Sequence, residues 1–422
     1  MKVFKFGGAV IKDAEAVRSL AKILTSFGDQ LVVIISAMGK ITNALERVVD
    51  DYFYRKSALP ESLNFVKEYH NAIINDLFPD KSHSIYSDIG HIFKKLQEKL
   101  DEEPSAHFNY EYDQIVPYGE ILSTKIVYHY LYSEGLRVKW MDIRKYLKTD
   151  NNYREAKLNY ELSEDYVRKA FHFKDAGIYV TQGFIGSTIN NLSTTLGREG
   201  SDFTAAVMAY FFNLKEVTIW KDVPGVLNAD PKYFQDTVKL EKISYVDAIE
   251  LAYYGTGVIH PKTVQPLQRK NILLHIRSFF DPGLTGTIIG DDSYDKLIPS
   301  FIFKMNQVLI EIFPRDLSFI AEDSLETIFG SFARYNLKIN LMQNSAVSFK
   351  VVVNDDNTRL DHVTTELSKD FNVEVLKGLE LITIRYYDDA TIDRVMKDKD
   401  LVLEQRNKQT IQMVVRNLGT GL

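Results

Sequence analysis

The chain has 422 residues, which at roughly 150 residues per domain predicts two or three domains. Hydrophobic residues make up 45% and charged residues 26%, a composition typical of globular proteins that excludes disordered and fibrous chains. The formal net charge of −6 argues against a generally basic binder of nucleic acid or anionic membranes. The absence of cysteine excludes disulfide scaffolds, thiolate metal sites and cysteine nucleophiles.

The N-terminal sequence lacks the charged segment, the apolar segment and the small-residue cleavage site of a secretory signal, and we expect its first residues to belong to a folded domain. The longest apolar stretch in this region, residues 31–38, is much shorter than the roughly 18 residues that indicate a membrane span. We therefore expect a soluble, cytoplasmic protein with neither nucleic acid nor a membrane among its partners.

The first elements alternate between strand and helix patterns. Residues 3–6 and the β-branched run Leu31–Ile35 predict buried strands, and Ala14–Phe27 carries an apolar stripe at helical spacing. From residue 42 to about residue 113 the pattern is helical and polar-rich, which predicts a helical excursion from the sheet.

Strand and helix patterns alternate again after the excursion. Residues 177–181 and 217–220 predict strands on either side of a helix at 203–212. This alternation favours an α/β domain with a parallel sheet. Residues 281–290 contain one proline and three glycines, and we expect them to form the linker to a second domain.

The tail beyond residue 300 has a different texture. Its strand and helix patterns follow the order β-α-β-β-α-β, which is the ferredoxin-like signature. Residues 373–376 predict the last strand of this unit, and residues 379–386 predict the first strand of a second, abbreviated unit of similar kind. The two units form a weak internal repeat.

Several well-known site signatures fail in this sequence. Gly39-Lys40 lacks both the upstream glycine and the Ser or Thr of a P-loop, and no Gly-x-Gly-x-x-Gly follows a strand. The nine histidines show no metal-binding spacing, and there is no nucleophile elbow or protein-kinase motif pair. Dehydrogenase, P-loop, zinc-hydrolase and serine-esterase functions all lose support.

Several short loops follow predicted strands, where open α/β sheets bind ligands. The loop with Lys5, Gly7 and Gly8 combines a point charge with backbone N–H groups that can approach an anion closely. Ser201 and Asp202 directly precede a predicted helix, whose N-terminus favours a phosphate or a carboxylate. Each loop alone is also explained by an ordinary turn or helix cap, so only the combination predicts a site.

Taken together, six motifs occur in the order and approximate spacing of aspartate kinases. They are Lys5-Phe6-Gly7-Gly8, residues 36–43, Tyr118-Gly119-Glu120, residues 197–202, residues 220–232 and residues 254–261. The chain therefore resembles the aspartate kinase family, and its tail resembles the tandem ACT domains of that family. The resemblance implies an α/β fold, an amino-acid (carbamate) kinase-like sandwich with a mostly parallel central sheet, plus C-terminal tandem ferredoxin-like ACT domains. It implies a catalytic domain at 1–290, a first ACT domain at 300–372 and a second, abbreviated one at 373–422.

The resemblance also implies roles for individual residues. Lys5 and Asp202 would be catalytic, with Asp202 acting on Mg²⁺ through the bound nucleotide. The ATP-binding residues would be Lys5, Phe6, Gly7, Gly8, Lys221, Asp222, Leu227, Lys232, Gly257 and Val258. The aspartate-binding residues would be Ser36, Thr42, Glu120, Arg198, Glu199, Gly200 and Ser201, with Glu120 facing the ammonium and Arg198 a carboxylate. Asn340, Asn344 and Ser345 would lie near an effector.

The sequence departs from the family pattern mainly on the nucleotide side. Glu199 stands in place of a usual glycine, and Lys221 and Lys232 stand where Thr and Arg are frequent. Gly257 occupies a position where lysine is common, and Lys221 or Lys232 could compensate for the lost charge. In the tail, the segment from residue 324 to residue 327 departs from the usual apolar pattern.

The resemblance implies a monofunctional aspartate kinase that uses ATP and Mg²⁺ to make 4-phospho-L-aspartate, the first step of lysine, threonine and methionine biosynthesis. Lysine or threonine would be the feedback effector, and the ACT domains would pair the chain into a homodimer. The alternatives are a catalytically silent ACT-domain amino-acid sensor and another enzyme of the amino acid kinase family.

Overall fold

A computed structural model describes residues 1–234, 236–255, 259–291, 298–316 and 318–419. The chain forms two compact units, and each is assembled from separate segments. The first unit comprises Met1–Val226, Lys239–Ile249 and Val258–Tyr294, and the second comprises Leu227–Val238, Glu250–Gly257 and Asp295–Leu422. Within the described residues, every helix is too short or too polar to cross a bilayer.

The first unit is built on a predominantly parallel sheet. Its strands are β1 (Lys2–Phe6), β2 (Leu31–Ile35), β3 (Val138–Met141), β4 (Ile178–Gln182), β5 (Ile185–Ser187), β6 (Ser193–Thr195), β7 (Glu216–Lys221), β8 (Lys242–Ser244), β9 (Leu273–Ser278) and β10 (Thr287–Gly290). Eight of them form one sheet in the order β3-β4-β2-β1-β7-β9-β10-β8. Every neighbouring pair is parallel except β9 and β10. The predicted mostly parallel α/β sheet is therefore confirmed.

Helices cover the sheet and form the predicted excursion. They are α1 (Ala14–Phe27), α2 (Ile41–Phe53), α3 (Leu59–Leu77), α4 (Ser84–Asp101), α5 (Phe108–Ile115), α6 (Tyr118–Ser133), α7 (Tyr160–Ala170), α8 (Gly200–Phe211), α9 (Tyr245–Tyr254) and α10 (Pro261–Gln268). Helix α1 has the predicted bounds because the side chain of Asp13 accepts a hydrogen bond from the Ala16 N–H, 2.8 Å away, and caps the helix. Pro60 lies in the first turn of α3, where its missing N–H needs no partner within the helix.

The expected linker at residues 281–290 is wrong. The second half of this stretch is β10, which pairs with β9 and β8 inside the main sheet. Gly286 has a φ of 73°, and a Cβ there would stand 2.0 Å from the Ile276 carbonyl oxygen. Gly286 therefore ends the connection between two antiparallel strands at a point where the backbone passes close to β9, and glycine-rich composition alone did not distinguish this connection from a linker.

The second unit contains one antiparallel sheet with helices. Its elements are β11 (Ser300–Pro314), α11 (Glu322–Arg334), β12 (Ile339–Asn344), β13 (Phe349–Asn354), α12 (Asn357–Leu367), β14 (Phe371–Arg385), α13 (Asp389–Met396), β15 (Lys399–Arg406) and β16 (Thr410–Asn417). The strand order is β12-β13-β11-β14-β16-β15. The run from β11 to β14 has the predicted order β-α-β-β-α-β. The two strands predicted near residues 373–376 and 379–386 are in fact the single strand β14, which continues through Gly378.

Alternation along β13 explains the core of this unit. Phe349, Val351 and Val353 face a cluster that also contains Ile328 of α11 and Val363 of α12. Since successive strand residues point to opposite faces, the intervening Val352 joins a second cluster on the other face.

A third apolar cluster of the second unit contains residues from a segment that comes much earlier in the chain than the rest of the cluster. Phe234 stacks on Phe301, with 4.5 Å between ring centroids, and Ala229 lies in the same cluster as Ile384. The guanidinium of Arg394 stands 4.0 Å from the Phe234 ring centroid. The segment Leu227–Val238 is therefore part of the core of the second unit.

Candidate active site

The loops that follow β1 and β2 meet at the C-terminal edge of the main sheet. The Gly39 N–H donates a hydrogen bond to the Gly8 carbonyl oxygen at 2.9 Å. A Cβ on Gly8 would stand only 2.4 Å from the Ala37 carbonyl oxygen, so this position requires glycine. Gly7 differs, because a Cβ there would contact only the Lys5 ammonium at 3.3 Å.

Helix α8 begins against the loop that follows β4. A Cβ on Gly183 would stand 2.5 Å from the Cβ of Ser201, and the Thr204 hydroxyl accepts a hydrogen bond from the Phe184 N–H at 3.1 Å. This close packing directs the N-terminus of α8 toward the same edge of the sheet. Its free N–H groups and positive dipole end favour an anion there.

A buried charge cluster lies at this helix terminus. The Nζ of Lys5 is 2.5 Å from Oδ1 of Asp202, and the Nζ of Lys221 is 3.2 Å from Oδ2 of the same carboxylate. Only 2% of the Asp202 side chain is exposed. Lys5 and Lys221 come from the adjacent parallel strands β1 and β7, in which Phe6 pairs with Trp220. Three chain segments that are distant in sequence thus place two ammonium groups on one carboxylate.

The ionised forms of Asp202 and Lys221 stabilise each other within this cluster. Burial disfavours the ionised form of Asp202, but Lys221 and Lys5 outweigh burial and hold the pKa of this carboxyl below its usual value. Burial likewise disfavours the charge of Lys221, but Asp202 and Glu199 raise the pKa of its ammonium above its usual value. Lys221 is therefore charged at neutral pH, even though the sequence pattern places a neutral threonine there in the family.

Glu199 occupies a strained position beside the cluster. Its φ of 51° and ψ of 31° lie in the left-handed region, where a glycine has no steric penalty. Burial raises the pKa of its carboxyl, and no described residue gives its Oε2 a hydrogen bond. The usual glycine of the family would fit this backbone without strain.

Glu120 forms a second buried carboxylate in the first turn of α6. Its Oε1 accepts a hydrogen bond from the Ala37 N–H at 3.3 Å, whereas its Oε2 is buried and receives no hydrogen bond from a described residue. Burial raises its pKa from 4.5 to about 8. A buried carboxylate with one vacant acceptor, beside the loop that holds Ser36, suits a cationic ligand group.

Lys262 is a residue that the sequence interpretation missed. Its Nζ donates a hydrogen bond to the Leu196 carbonyl oxygen at 2.7 Å and stands 4.8 Å from the ring centroid of Phe203. It therefore links α10 to the loop that carries Arg198 and to α8. A lone lysine at a helix start gives no sequence signal for such a contact.

The remaining predicted site residues occupy different surroundings. Thr42 lies in the first turn of α2, and Arg198 and Asp222 are exposed. The Phe6 side chain is fully buried and stacks on Trp220, so only its backbone faces the loop. Leu227 and Lys232 belong to the second unit, whereas Gly257 and Val258 lie outside the described residues.

The three predicted effector residues do not share one environment. The amide of Asn340 is buried and bonds to Gln307 and Asn354, and its Oδ1 accepts from Lys304 at 2.9 Å. Asn344 and Ser345 are exposed at the other end of β12. Asn340 thus belongs to a structural network at the bulge of β11, and only Asn344 and Ser345 are accessible.

Comparison with known proteins gives consistent relationships. Residues 1–278 match the amino acid kinase family. Lysine-sensitive aspartokinase 3 of Escherichia coli (strain K12) is 29% identical over 423 residues, which cover 97% of this chain and 92% of that protein. The chloroplastic bifunctional aspartokinase/homoserine dehydrogenase 2 of Arabidopsis thaliana is 33% identical over 307 residues, which cover 69% of this chain and 33% of that protein.

Solved structures give the same relationship at the level of the fold. The structure of E. coli aspartokinase III in complex with lysine and aspartate (T-state) has a TM-score of 0.84 and 25% identity, and the match covers 99% of this chain and 96% of that one. The complex of the same enzyme with aspartate and ADP (R-state) has a TM-score of 0.81 at 25% identity and the same coverage.

Proposed function

We propose that this chain, which belongs to the amino acid kinase family and is an aspartate kinase, phosphorylates aspartate at the C-terminal edge of the main sheet, with Lys5, Glu120 and Asp202 in its active site. The observation that carries this location is the ion-paired cluster at the N-terminus of α8, where Asp202 meets Lys5 and Lys221. Two ammonium groups beside a helix N-terminus form a site for a phosphoryl group.

In our proposal the β-carboxylate of aspartate attacks the γ-phosphorus of ATP, and ADP leaves with the electrons of the broken bond. This carboxylate is already ionised at neutral pH, since its ordinary pKa is about 4. The reaction therefore needs no general base, and catalysis consists of holding two anions in line and neutralising their charge. The absence of a histidine from the residues assigned to this site is consistent with such chemistry.

Aspartate would be held by groups of complementary charge. Glu120, with its vacant Oε2, would accept the α-ammonium, and the exposed guanidinium of Arg198 would bind a carboxylate. The remaining proposed contacts come from polar groups around the same loops, namely Ser36, Thr42, Glu199, Gly200 and Ser201.

The nucleotide would bind at the glycine loop after β1. The backbone N–H groups of residues 6–8 and the ammonium of Lys5 would contact the phosphates. Further proposed contacts are those that the family resemblance assigns, namely Lys221, Asp222, Leu227, Lys232, Gly257 and Val258.

Mg²⁺ fits this site as a companion of the nucleotide. Asp202 offers a hard oxygen donor, and Glu199 adds a buried oxygen that receives no hydrogen bond from a described residue. Among the described residues, no group of three or more acidic or histidine side chains could hold a metal alone. Asp202 would therefore hold Mg²⁺ together with phosphate oxygens, and the bound ion would neutralise phosphate charge.

We further propose that the second unit regulates the first through an amino acid, with lysine favoured because the E. coli relative binds it. The accessible Asn344 and Ser345 would contribute to this effector site, and threonine is the alternative ligand. Edge strand β12 exposes 52% of Met342, and we propose that it supports a homodimer. The domain boundaries 1–290, 300–372 and 373–422 and the cytoplasmic location remain predictions.

A coupled assay for aspartyl phosphate, trapped as its hydroxamate, tests the location of the site. Asp202→Asn should abolish turnover, and circular dichroism checks that this variant is folded. Asp101→Asn, at an exposed carboxylate at the end of α4, should retain the activity of the parent protein. Full activity of Asp202→Asn would refute the proposed site. Repeating the assay with lysine and with threonine tests the effector, and activity indifferent to both would contradict the regulatory proposal.

A further inference from the structure

The position of Lys221 brings its ammonium into direct contact with the buried carboxylate of Asp202. It is the last residue of that strand, only 19% of its side chain is exposed, and its Nζ is 3.2 Å from Oδ2 of Asp202. The other oxygen of Asp202 already has Lys5 as a partner at 2.5 Å. A single carboxylate therefore receives two buried ammonium groups.

The charges around Asp202 do not balance within this pair of contacts. Asp202 carries a single negative charge, and Glu199 and the exposed Asp222 are the other acidic groups that act on Lys221. A structural ion pair would need only one lysine on this carboxylate, so the second ammonium is available for another role. An anionic ligand that enters the site can take one ammonium group as its partner while the other stays on Asp202.

The direction of the two lysines identifies that ligand. They extend from neighbouring parallel strands at the sheet edge, next to the N-terminus of α8 and the glycine loop after β1. Both neighbours present backbone N–H groups, so cations and N–H donors converge on one position. Such a position suits the oxygens of a phosphoryl group in transfer, on which negative charge is spread.

We propose that Lys221 is a second catalytic cation, which exchanges its contact with Asp202 for an oxygen of the transferring phosphoryl group. This inference rests on the proposed function and assigns a role to one residue within it. Bonds balance without a proton transfer: an oxygen–phosphorus bond to the β-carboxylate forms while the γ-phosphorus loses its bond to the departing ADP. The exchange also leaves one oxygen of Asp202 without its ammonium partner.

Two substitutions separate this role from a structural ion pair. Lys221→Met keeps the aliphatic stem but removes the charge, and Lys221→Arg keeps the charge. Lys215→Met is the matched control, because Lys215 is exposed just before the other end of the same strand. Steady-state rates with saturating ATP and aspartate, and calorimetric affinity for ADP, are measured for each variant.

We expect Lys221→Met to lower kcat by about 100- to 1,000-fold, in the range for loss of one transition-state donor. The KM for aspartate and the affinity for ADP should change by less than about threefold, because ADP lacks the transferred group. Lys221→Arg should recover part of the rate, and Lys215→Met should match the parent protein. A kcat of Lys221→Met within about threefold of the parent would overturn the proposal.

Two further variants keep every outcome interpretable. If Lys221→Met does not fold, Lys221→Gln replaces it, since an amide can still donate a hydrogen bond to Asp202 without a charge. Lys5→Met reports on the site as a whole. Loss of activity in Lys5→Met but not in Lys221→Met would refute only the role of Lys221, whereas full activity in both would refute the proposed site.

Discussion

Replacing Glu120 with glutamine tests the proposed aspartate site through the protons that are released when aspartate binds, in addition to reaction rates. Burial raises the pKa of Glu120 from 4.5 to about 8, so the free protein holds this carboxyl protonated at pH 7. An ammonium ligand at the vacant Oε2 requires the ionised form. Binding of aspartate must therefore release a proton, and the Gln variant has none to release at this position.

The magnitude follows from the pKa. With a free-state pKa of about 8, roughly 0.9 proton leaves Glu120 per aspartate bound at pH 7, and about 0.5 at pH 8. The affinity for aspartate should then fall about 50-fold between pH 8 and pH 6, since each unit below the pKa costs close to tenfold. Glutamine at this position should bind aspartate weakly at every pH in this range.

The same raised pKa has a consequence for folding. A carboxyl that is neutral when folded but ionised when unfolded costs no stability below pH 4.5, and the cost grows as the pH rises toward 8. At pH 7 the cost is about 3 kcal/mol, from about 1.4 kcal/mol per pH unit. Glu120→Gln should therefore unfold at a higher temperature than the parent protein at pH 8, and this difference should shrink toward pH 5.

Calorimetric titration with aspartate in two buffers of different ionisation enthalpy measures the released protons directly. Thermal unfolding of the parent and the Gln variant from pH 5 to pH 8 measures the stability difference. Glu111→Gln is a suitable control, because Glu111 is also buried but lies in the helical excursion and pairs with Lys99 at 3.1 Å. Aspartate binding without proton release at pH 7, or undiminished affinity in Glu120→Gln, would refute the reasoning.

Three further pairs of substitutions test the site. Gly8→Ala should unfold or severely destabilise the protein, because the added Cβ would stand 2.4 Å from a backbone oxygen. Gly7→Ala should fold normally but lose activity, because its Cβ would displace the Lys5 ammonium. Equal melting temperatures of the two variants would contradict this prediction. Glu199→Gly should raise the free energy of unfolding by about 1 kcal/mol, because glycine adopts the left-handed φ of this position without strain. Glu199→Ala should not raise it, since alanine keeps the strained backbone. Urea denaturation measures both free energies. Lys262→Met should raise the KM for aspartate, because it removes the hydrogen bond that holds the Leu196 carbonyl, two residues before Arg198. Lys262→Arg should restore the KM in part. An unchanged KM in Lys262→Met would exclude a positioning role for Lys262.

The sequence predicted the elements whose signal is local. Ala14–Phe27 and Leu31–Ile35 have the predicted bounds, because one follows a capping aspartate and the other is a continuous buried run. The linker at residues 281–290 failed because a glycine turn between sheet strands has the same composition as a linker. The two short strands predicted around Gly378 merge into β14, because β11 pairs with the residues on both sides of this glycine across a local register shift.

The site was predictable in its residues but not in its contacts. Ordered motifs identified Lys5, Glu120 and Asp202, yet only the structure places Lys221 on the same carboxylate as Lys5. The geometry depends on β1 and β7 being neighbours, which their separation in sequence conceals. Lys262 escaped prediction because its partner is a backbone oxygen, which no residue identity encodes.

The interleaved segments of the two units limit how this protein can be cut or recombined. A fragment that ends near residue 290 would carry Phe234 and Ala229 without Phe301 and Ile384, and would present an apolar surface to water. A tail fragment that starts near residue 300 would lack the same packing from the other side. We therefore expect regulatory tails to be exchangeable between relatives only when residues 227–238 and 250–257 are exchanged with them, so that the genetic boundary follows the packing rather than the order of the sequence.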